Sequence, residues 1–168
     1  MSQPSWPQTS WPQTFWQGIV THLHWTERGS MPMQRADNLE LIAGVGIKGD
    51  RYATEQGFYS DRPEPGRQIT LFEIETLEAL QRDHGVELTP DEHRRNVTVQ
   101  GVPLNHLVNR QFRIGECLFE ATRLSTPCQH IEDITKKTIS RWLINRSGLN
   151  CIIVTGGLIK PGDIVKSE

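Results

Sequence analysis

The stretch Gln111–Arg123 reads QFRIGECLFEATR and predicts a β-hairpin, with Gly115-Glu116 as its turn. Two runs of strand-forming residues separated by a short glycine-containing connection favour antiparallel pairing. The run Cys151–Val154 is apolar throughout, as in a strand buried on both faces, and Asn96–Gln100 alternates polar and apolar residues. The chain around the hairpin is therefore expected to be rich in strands.

Further short strands are predicted on both sides of the hairpin, and two helices are inserted among them. The strands are Phe15–Trp25, Leu39–Leu41, Arg67–Leu71 and Ile164–Val165. Many short strands with few helices indicate a mainly β (α+β) domain. A partly closed β-barrel with two or three peripheral helices is expected, because closure hides strand edges.

The two helices are predicted from capping signals and apolar spacing. Thr70-x-x-Glu73 has the pattern of a capping box, and apolar residues then recur at helical spacing as far as Gly85. The second helix is expected over Asp133–Asn145. Thr89–Glu92 has a similar capping pattern and is expected to begin at most a short helix.

The chain of 168 residues is expected to form one domain, residues 15–168, preceded by a leader, residues 1–14. Ser5–Thr9 is repeated as Ser10–Thr14, and its prolines favour an extended leader. Its two tryptophans are alternatively able to pin it to a surface. The net charge of −2 argues against a non-specific nucleic-acid binder. No apolar run suits a membrane helix, and no signal peptide is evident, so the cytoplasm is the expected location.

Three cysteines in an odd, widely spaced set argue against disulfides and zinc ribbons. Cys117 and Cys151 lie in apolar strand patterns and are expected in the core. Cys128 lies between a predicted strand and a predicted helix, so a loop position is expected. A loop thiol near cations is suited to act as a nucleophile or soft-metal ligand, and a semi-buried structural role is the alternative. His130, two residues away, is a candidate proton donor or a group that lowers the pKa of the thiol.

Two basic segments are candidates for binding an anion. Arg94 and Asn96 are expected to share one face of a strand, with Arg95 on the other, which suits a phosphate and a hydrogen-bonding ring. An exposed edge strand with ordinary charges is the alternative. Gly44–Arg51 is glycine-rich and basic without the spacing of a Walker motif, so it is either an anion-binding loop or a tight turn.

Seven short motifs in one order resemble the MOSC domain, the family named after the C-terminal part of molybdenum cofactor sulfurases. The resemblance runs from about Ile19 to Val165. Its motifs are Gly46–Arg51, Arg67–Leu71, Arg94–Asn96, Phe112–Gly115, Pro127-Cys128, Gly156-Gly157 and Gly162-Asp163.

The resemblance implies a β-barrel that binds molybdenum cofactor (molybdopterin). It implies that Cys128 is the metal ligand or a sulfur carrier, and that Arg94 and Asn96 hold the pterin and its phosphate. The other residues it points to for cofactor binding are Lys48, Arg51, Arg67 and Thr70. At the level of the family it also implies, more distantly, pyridoxal phosphate binding.

Redox relatives reduce N-hydroxylated small molecules, and the resemblance implies that activity here, with Cys128 and His130 as catalytic residues. The chain has no flavin or iron–sulfur motif, so a reductase needs an electron-donor protein. The alternative function is a non-redox carrier, either of the cofactor or of persulfide sulfur received from a cysteine desulfurase. A barrel that binds another anion or a partner protein is the third reading.

Overall fold

The computed structural model describes residues 16–168, so the predicted leader and Phe15 lie outside the described residues. Eleven strands and two α-helices are present in this part of the chain. The strands are β1 (Gln17–Trp25), β2 (Gln34–Ala36), β3 (Leu39–Ile42), β4 (Gly46–Ile47), β5 (Ile69–Glu73), β6 (Val97–Gln100), β7 (Gln111–Ile114), β8 (Cys117–Leu124), β9 (Leu149–Thr155), β10 (Gly157–Ile159) and β11 (Ile164–Ser167). The helices are α1 (Ile74–His84) and α2 (Gln129–Thr135).

Seven of the strands close into a barrel, which confirms the predicted fold class. The order around the barrel is β1, β6, β5, β9, β8, β7 and β11, and β11 pairs again with β1. Among the strand pairs of this barrel, β5–β6 alone is parallel. Strand β2 extends the sheet beside β1, and β10, β3 and β4 form a separate small sheet. Closure leaves no free edge among the seven barrel strands.

The predicted hairpin forms strands β7 and β8, in the expected register about Gly115-Glu116. Ile114 pairs with Cys117, and Phe112 pairs with Phe119. The two phenylalanine rings stack 5.3 Å apart between centroids and are fully buried. They belong to the main apolar core, which fills the barrel. A smaller core packs α1 against the segment around α2.

Helix α1 ends as predicted but does not begin as predicted. Gly85 adopts the left-handed conformation (φ 64°) at the C-terminal cap, where a glycine is favoured. Thr70 lies within β5 and is not an N-cap; the capping position is Glu73, whose side chain makes no cap hydrogen bond. Thr89–Glu92 forms only a turn, in which the Thr89 amide donates to the Glu92 carboxylate at 2.9 Å.

The predicted helix over Asp133–Asn145 was wrong. Helix α2 begins earlier, at Gln129, and ends at Thr135, because Lys136 takes a left-handed conformation (φ 59°). The Glu132 carboxylate then accepts the amides of Ile139 and Ser140 at 2.9 and 2.8 Å, which folds the chain back on the helix. A single 3-10 turn, Ser140–Leu143, replaces the rest of the predicted helix. Within residues 16–168, no helix combines the length and hydropathy needed to cross a bilayer.

Candidate functional site

One cavity of about 490 Å³ lies where β5, β8 and β9 meet the segments that follow β4, precede β6 and precede α2. Three cross-strand neighbours form its floor: Thr70 pairs with Asn150, and Asn150 pairs with Arg123. The adjacent rung, Ile69 beside Cys151, faces the barrel core. The full lining is Arg51, Tyr52, Tyr59, Glu64, Arg67, Thr70, Arg95, Arg123, Ser125, Thr126, Cys128 and Asn150.

Cys128 is the one cysteine of the three that reaches this cavity. It is partly exposed and immediately precedes α2, as the sequence predicted. Cys117 and Cys151 are buried in the barrel core, also as predicted, and burial raises the pKa of both thiols. Only Cys128 therefore combines a solvent-accessible thiol with polar surroundings.

Tyr59 lies beside Cys128 in the cavity wall and was not expected from the sequence. Burial, and after it the neighbouring Cys128, raises the pKa of Tyr59 to about 12. The phenol is therefore protonated at neutral pH and is able to donate its hydrogen to the thiol sulfur. The Arg67 guanidinium lies over the Tyr59 ring at 4.9 Å, and Arg67 also donates to the Tyr59 carbonyl oxygen at 2.8 Å.

Arg51 reaches the cavity from the glycine-rich turn and is held in place by a buried network. It lies 3.4 Å from the Asp50 carboxylate and donates to the Arg94 carbonyl oxygen at 3.0 Å. It also contacts the Met33 sulfur at 3.1 Å. Asp50 is fully buried, and Arg51 is its ion-pair partner. Much of the positive charge of Arg51 is therefore balanced behind the cavity wall.

Asn96 and Thr70 form the hydrogen-bonded support of the cavity floor. The Asn96 side-chain oxygen accepts the Thr70 hydroxyl at 3.0 Å and the Thr70 amide at 3.2 Å. The Asn96 amide group donates to the His24 carbonyl oxygen at 3.2 Å. Thr70 lines the cavity, whereas Asn96 is buried behind it. Asn96 therefore positions Thr70, and its predicted contact with a ligand stays a prediction.

The expected strand alternation of Arg94, Arg95 and Asn96 was wrong. Strand β6 begins only at Val97, and Arg94 takes a left-handed conformation (φ 67°), so these three residues do not alternate as they would in a strand. Arg94 donates to the carbonyl oxygens of Met31 and Gly29, at 2.5 and 2.6 Å. It borders a smaller cavity of about 40 Å³ beside the main one.

Arg95, which the alternation pattern placed on the other face, is the arginine of this segment that lines the main cavity. Its guanidinium donates to the backbone oxygen and hydroxyl of Ser147 at 2.9 and 3.1 Å. Within residues 16–168 no carboxylate lies within ion-pair distance of it. Burial lowers the pKa of Arg95 to about 10, so it remains charged at pH 7. Its charge is therefore available to an anion.

Arg67 and Arg123 complete the basic lining. Both lie against Glu64, at 3.3 and 2.6 Å from its Oε2 oxygen. The sequence reasoning identified Arg67 but missed Arg123 and Glu64. Nothing local distinguishes Arg123 from an ordinary surface charge on a strand; its partner is 59 residues away in the chain.

His130 lines the smaller cavity together with Cys128 and stacks on Phe58 with 3.9 Å between ring centroids. Its Nε2 atom lies 3.4 Å from the Gly29 carbonyl oxygen. Burial lowers the pKa of His130, so the neutral imidazole is favoured at pH 7. This state weakens the case for His130 as an acid, and its role as proton donor stays a prediction.

Lys48 does not belong to this site. Its ammonium group pairs with the Glu40 carboxylate at 2.8 Å on the surface, and both side chains are more than half exposed. The glycine-rich segment Gly44–Arg51 contains the short strand β4 and turns, and it delivers Arg51 to the cavity rather than Lys48. Of the two interpretations of this segment, the tight turn is the one that matches its backbone structure.

The charges and donors of the cavity suit a phosphorylated anion that carries a soft metal. Four arginines line it against one glutamate, and a thiol lies in the same wall. Among residues 16–168, no group of three or more His, Cys, Asp or Glu side chains is arranged to hold a metal ion. A single thiol therefore suits a metal that arrives with other ligands of its own, and thiolate is a donor for soft metals. The residues present fit the molybdenum cofactor in these respects.

A family model agrees with this geometry: the MOSC domain model matches residues 59–166, more than half of the chain. The chain belongs to the MOSC domain family. Members of this family typically bind molybdenum cofactor. The match covers Cys128 and the arginines at 67, 95 and 123, whereas Arg51 lies before it.

Solved structures share the fold. The YuaD protein from Bacillus subtilis is 20% identical, with a TM-score of 0.76 over 92% of this chain and 98% of that one. YiiM from Geobacillus stearothermophilus is 15% identical, with a TM-score of 0.65 over 90% of this chain and 75% of that one. YiiM from Escherichia coli is 16% identical, with a TM-score of 0.65 over 89% and 69%. None of the curated proteins compared with the chain matches it.

Proposed function

We propose that this MOSC domain binds molybdenum cofactor in the Cys128 cavity and reduces N–O bonds of N-hydroxylated small molecules. The observation that carries the proposal is the meeting of a partly exposed thiol with four arginines in one cavity of about 490 Å³. When bound, the cofactor supplies the two-electron chemistry. The chain supplies the anion-binding charges, one thiol ligand and the walls of the pocket.

The arginines divide into two kinds by their partners. Arg51 is balanced by Asp50, and Arg67 and Arg123 are balanced by Glu64. Among the described residues, the Arg95 guanidinium donates hydrogen bonds only to Ser147, and it keeps its charge. Charge-assisted hydrogen bonds to phosphate are among the strongest polar contacts in proteins. We assign Arg95 as a principal binding residue for an anionic group of the cofactor.

The proposed overall reaction is a two-electron reduction. A hydroxylamine R–NHOH takes up two electrons and two protons, the N–O bond breaks, and R–NH₂ and water leave. The electrons come from a donor protein, since the sequence has no flavin or iron–sulfur motif. Tyr59 lines the same wall as Cys128, and its protonated phenol is placed to donate a hydrogen bond toward the thiol.

The test begins with anaerobic purification from a host that makes molybdenum cofactor. Bound molybdenum and released pterin are expected in about equal amounts. A folded protein with neither would overturn the proposal. The Cys128→Ser variant is expected to lose the metal, and the Cys117→Ser variant is the matched control that keeps it. Turnover of an N-hydroxylated purine with an artificial electron donor tests the reductase step.

A carrier function is the second candidate, favoured by the accessibility of Cys128. A cofactor carrier would hold metal and pterin but show no turnover with the artificial donor. A sulfur carrier would gain one sulfur on Cys128 after incubation with a cysteine desulfurase and cysteine. Mass spectrometry detects that addition, and an unmodified thiol contradicts the sulfur carrier.

A further inference from the structure

Glu64 holds two arginines together at the rim of the Cys128 cavity. Its Oε2 oxygen accepts from Nε and Nη2 of Arg123 at 3.1 and 2.6 Å. The same oxygen lies 3.3 Å from Nη2 of Arg67. The two guanidinium groups, from different strand regions, therefore converge on a single carboxylate oxygen. The adjacent Arg123 lowers the pKa of Glu64, so this carboxylate is ionised at neutral pH.

The segment that carries Glu64 has little else to hold it. Pro63 and Pro65 flank it, and proline has no backbone N–H to donate. In the described part of the chain, no backbone hydrogen bond is formed by residues 63–65. The Glu64 side chain is about half exposed (46%), so water competes with its ion pairs. The carboxylate is therefore held mainly by the two arginines and is easily displaced.

Two guanidinium groups that converge on one negatively charged oxygen have an arrangement that suits a phosphate group. A phosphate offers several oxygens and up to two negative charges, so it bonds both arginines more fully than one carboxylate oxygen does. We propose that Arg67 and Arg123 form a phosphate subsite of the cavity, and that Glu64 competes with the phosphate for it. Binding of a phosphate group releases Glu64 and frees the segment at residues 63–65.

This inference rests on the proposed function for the identity of its ligand, since the molybdenum cofactor carries a phosphate. It adds Arg123 as a binding residue and Glu64 as a residue that limits affinity. Arg95 lies in the same cavity, has no carboxylate partner among the described residues, and is available for another anionic group of the ligand.

The experiment measures binding of inorganic phosphate to the full chain by calorimetry at constant low ionic strength. Glu64→Gln is expected to bind phosphate about three- to tenfold more tightly than the wild type, because the competing charge is gone. Arg123→Met is expected to weaken binding about tenfold. The double variant Glu64→Gln/Arg123→Met is expected to gain nothing over Arg123→Met, because Glu64 acts through the arginine pair.

Glu120→Gln is the matched control. It removes the same charge from an exposed position on the strand that carries Arg123, where Glu120 forms no ion pair among the described residues. An equal gain in this control would assign the effect to net charge and overturn the subsite. Unchanged affinity in Glu64→Gln would overturn it too. Arg123→Lys keeps the charge but loses the two-point contact, so its affinity for phosphate is expected to lie between those of the wild type and Arg123→Met. An unaltered melting temperature in this variant shows that the loss comes from binding and not from misfolding.

Metal content separates this inference from the proposed function. Purified protein without molybdenum that still shows the Glu64→Gln gain would reject cofactor binding and keep the phosphate subsite. Protein with molybdenum but without that gain would reject the subsite alone.

Discussion

The barrel interior around Phe119 and the cavity around Cys128 are made by the same strands but stabilised in different ways. In strand β8, Phe119 packs in the core and Arg123 lines the cavity. In β9, Cys151 packs in the core and Asn150 lines the cavity. The core gains stability from excluded water. The cavity places charges in fixed positions, and most of them already have partners. Five experiments test this difference, in order of decreasing expected effect.

Phe119→Ala is expected to lower the free energy of unfolding by about 3–5 kcal/mol, because it removes a fully buried ring from the core. Urea unfolding measures the change. The cavity-lining variant Thr126→Ala is the comparison and is expected to change stability by less than about 1 kcal/mol. Equal losses in both variants would contradict the division between core and cavity.

Arg95→Met is expected to weaken binding of the anionic ligand about 10- to 100-fold, since a charge-assisted contact in a partly buried site is lost. Retained molybdenum per protein, after dialysis at moderate salt, measures the loss. Arg110→Met, an exposed arginine that does not line this cavity, is the control. Full retention in the Arg95 variant would remove Arg95 from the site.

Cys151→Ser is expected to destabilise the fold by about 1–3 kcal/mol, because it buries a hydroxyl in the apolar core. Cys128→Ser is expected to cost less than about 1 kcal/mol, since that side chain is partly exposed. The free energies of unfolding of the two variants give the comparison. In the native wild type, alkylation should modify Cys128 alone, and rapid modification of Cys151 would show an open core.

Acid is expected to destabilise the protein through His93. This side chain is fully buried, and burial lowers its pKa well below 6.5. Its Nδ1 accepts a hydrogen bond from the Arg95 amide at 2.9 Å. Protonation of Nδ1 would therefore break this hydrogen bond. The unfolded chain takes up the proton first, and so the stabilisation is complete above about pH 6.5 and declines below it. The loss is at most about 1.4 kcal/mol per pH unit for one proton.

Unfolding free energies at pH 7.5 and 5.5 measure this loss, and His93→Gln should make the difference smaller. This pH range lies above the pKa values of ordinary carboxylates. Buried histidines elsewhere, such as His24, add to the decline in both proteins. An unchanged pH dependence in the variant would assign the effect to those other groups.

Lys48→Ala is expected to have the smallest effect. Its ion pair with Glu40 is exposed, so its loss should cost less than about 0.5 kcal/mol. Molybdenum content should match the wild type, because Lys48 lies outside the cavity. Loss of metal in this variant would show that the resemblance located a binding residue better than the geometry did.

Local patterns predicted most of the fold. The hairpin of β7 and β8, the strand at Cys151 and the helix stop at Gly85 each depend on neighbouring residues only, and each formed as expected. The helix over Asp133–Asn145 failed because Glu132 binds backbone amides seven and eight residues ahead and reverses the chain. The spacing of apolar residues carries no information about that contact between a side chain and the backbone.

The site was predicted in part for the same reason. Cys128 was located from its position between a strand and a helix. The expected alternation of Arg94, Arg95 and Asn96 did not form, because Arg94 takes a left-handed conformation and β6 begins only at Val97. Tyr59 had no signal in the sequence, since its contact with Cys128 joins segments far apart in the chain.

Sequence patterns were enough to predict a strand-rich barrel with one accessible thiol and a near-neutral charge. Periodicity, turn chemistry and residue type carry that information, because they act between close neighbours. Which arginines lie near the thiol, and which already have a partner, depends on the tertiary structure. Glu64 and Arg123 meet across 59 residues. Only the closed order of strands brings such groups together, and that order decides where positive charge is left for a ligand.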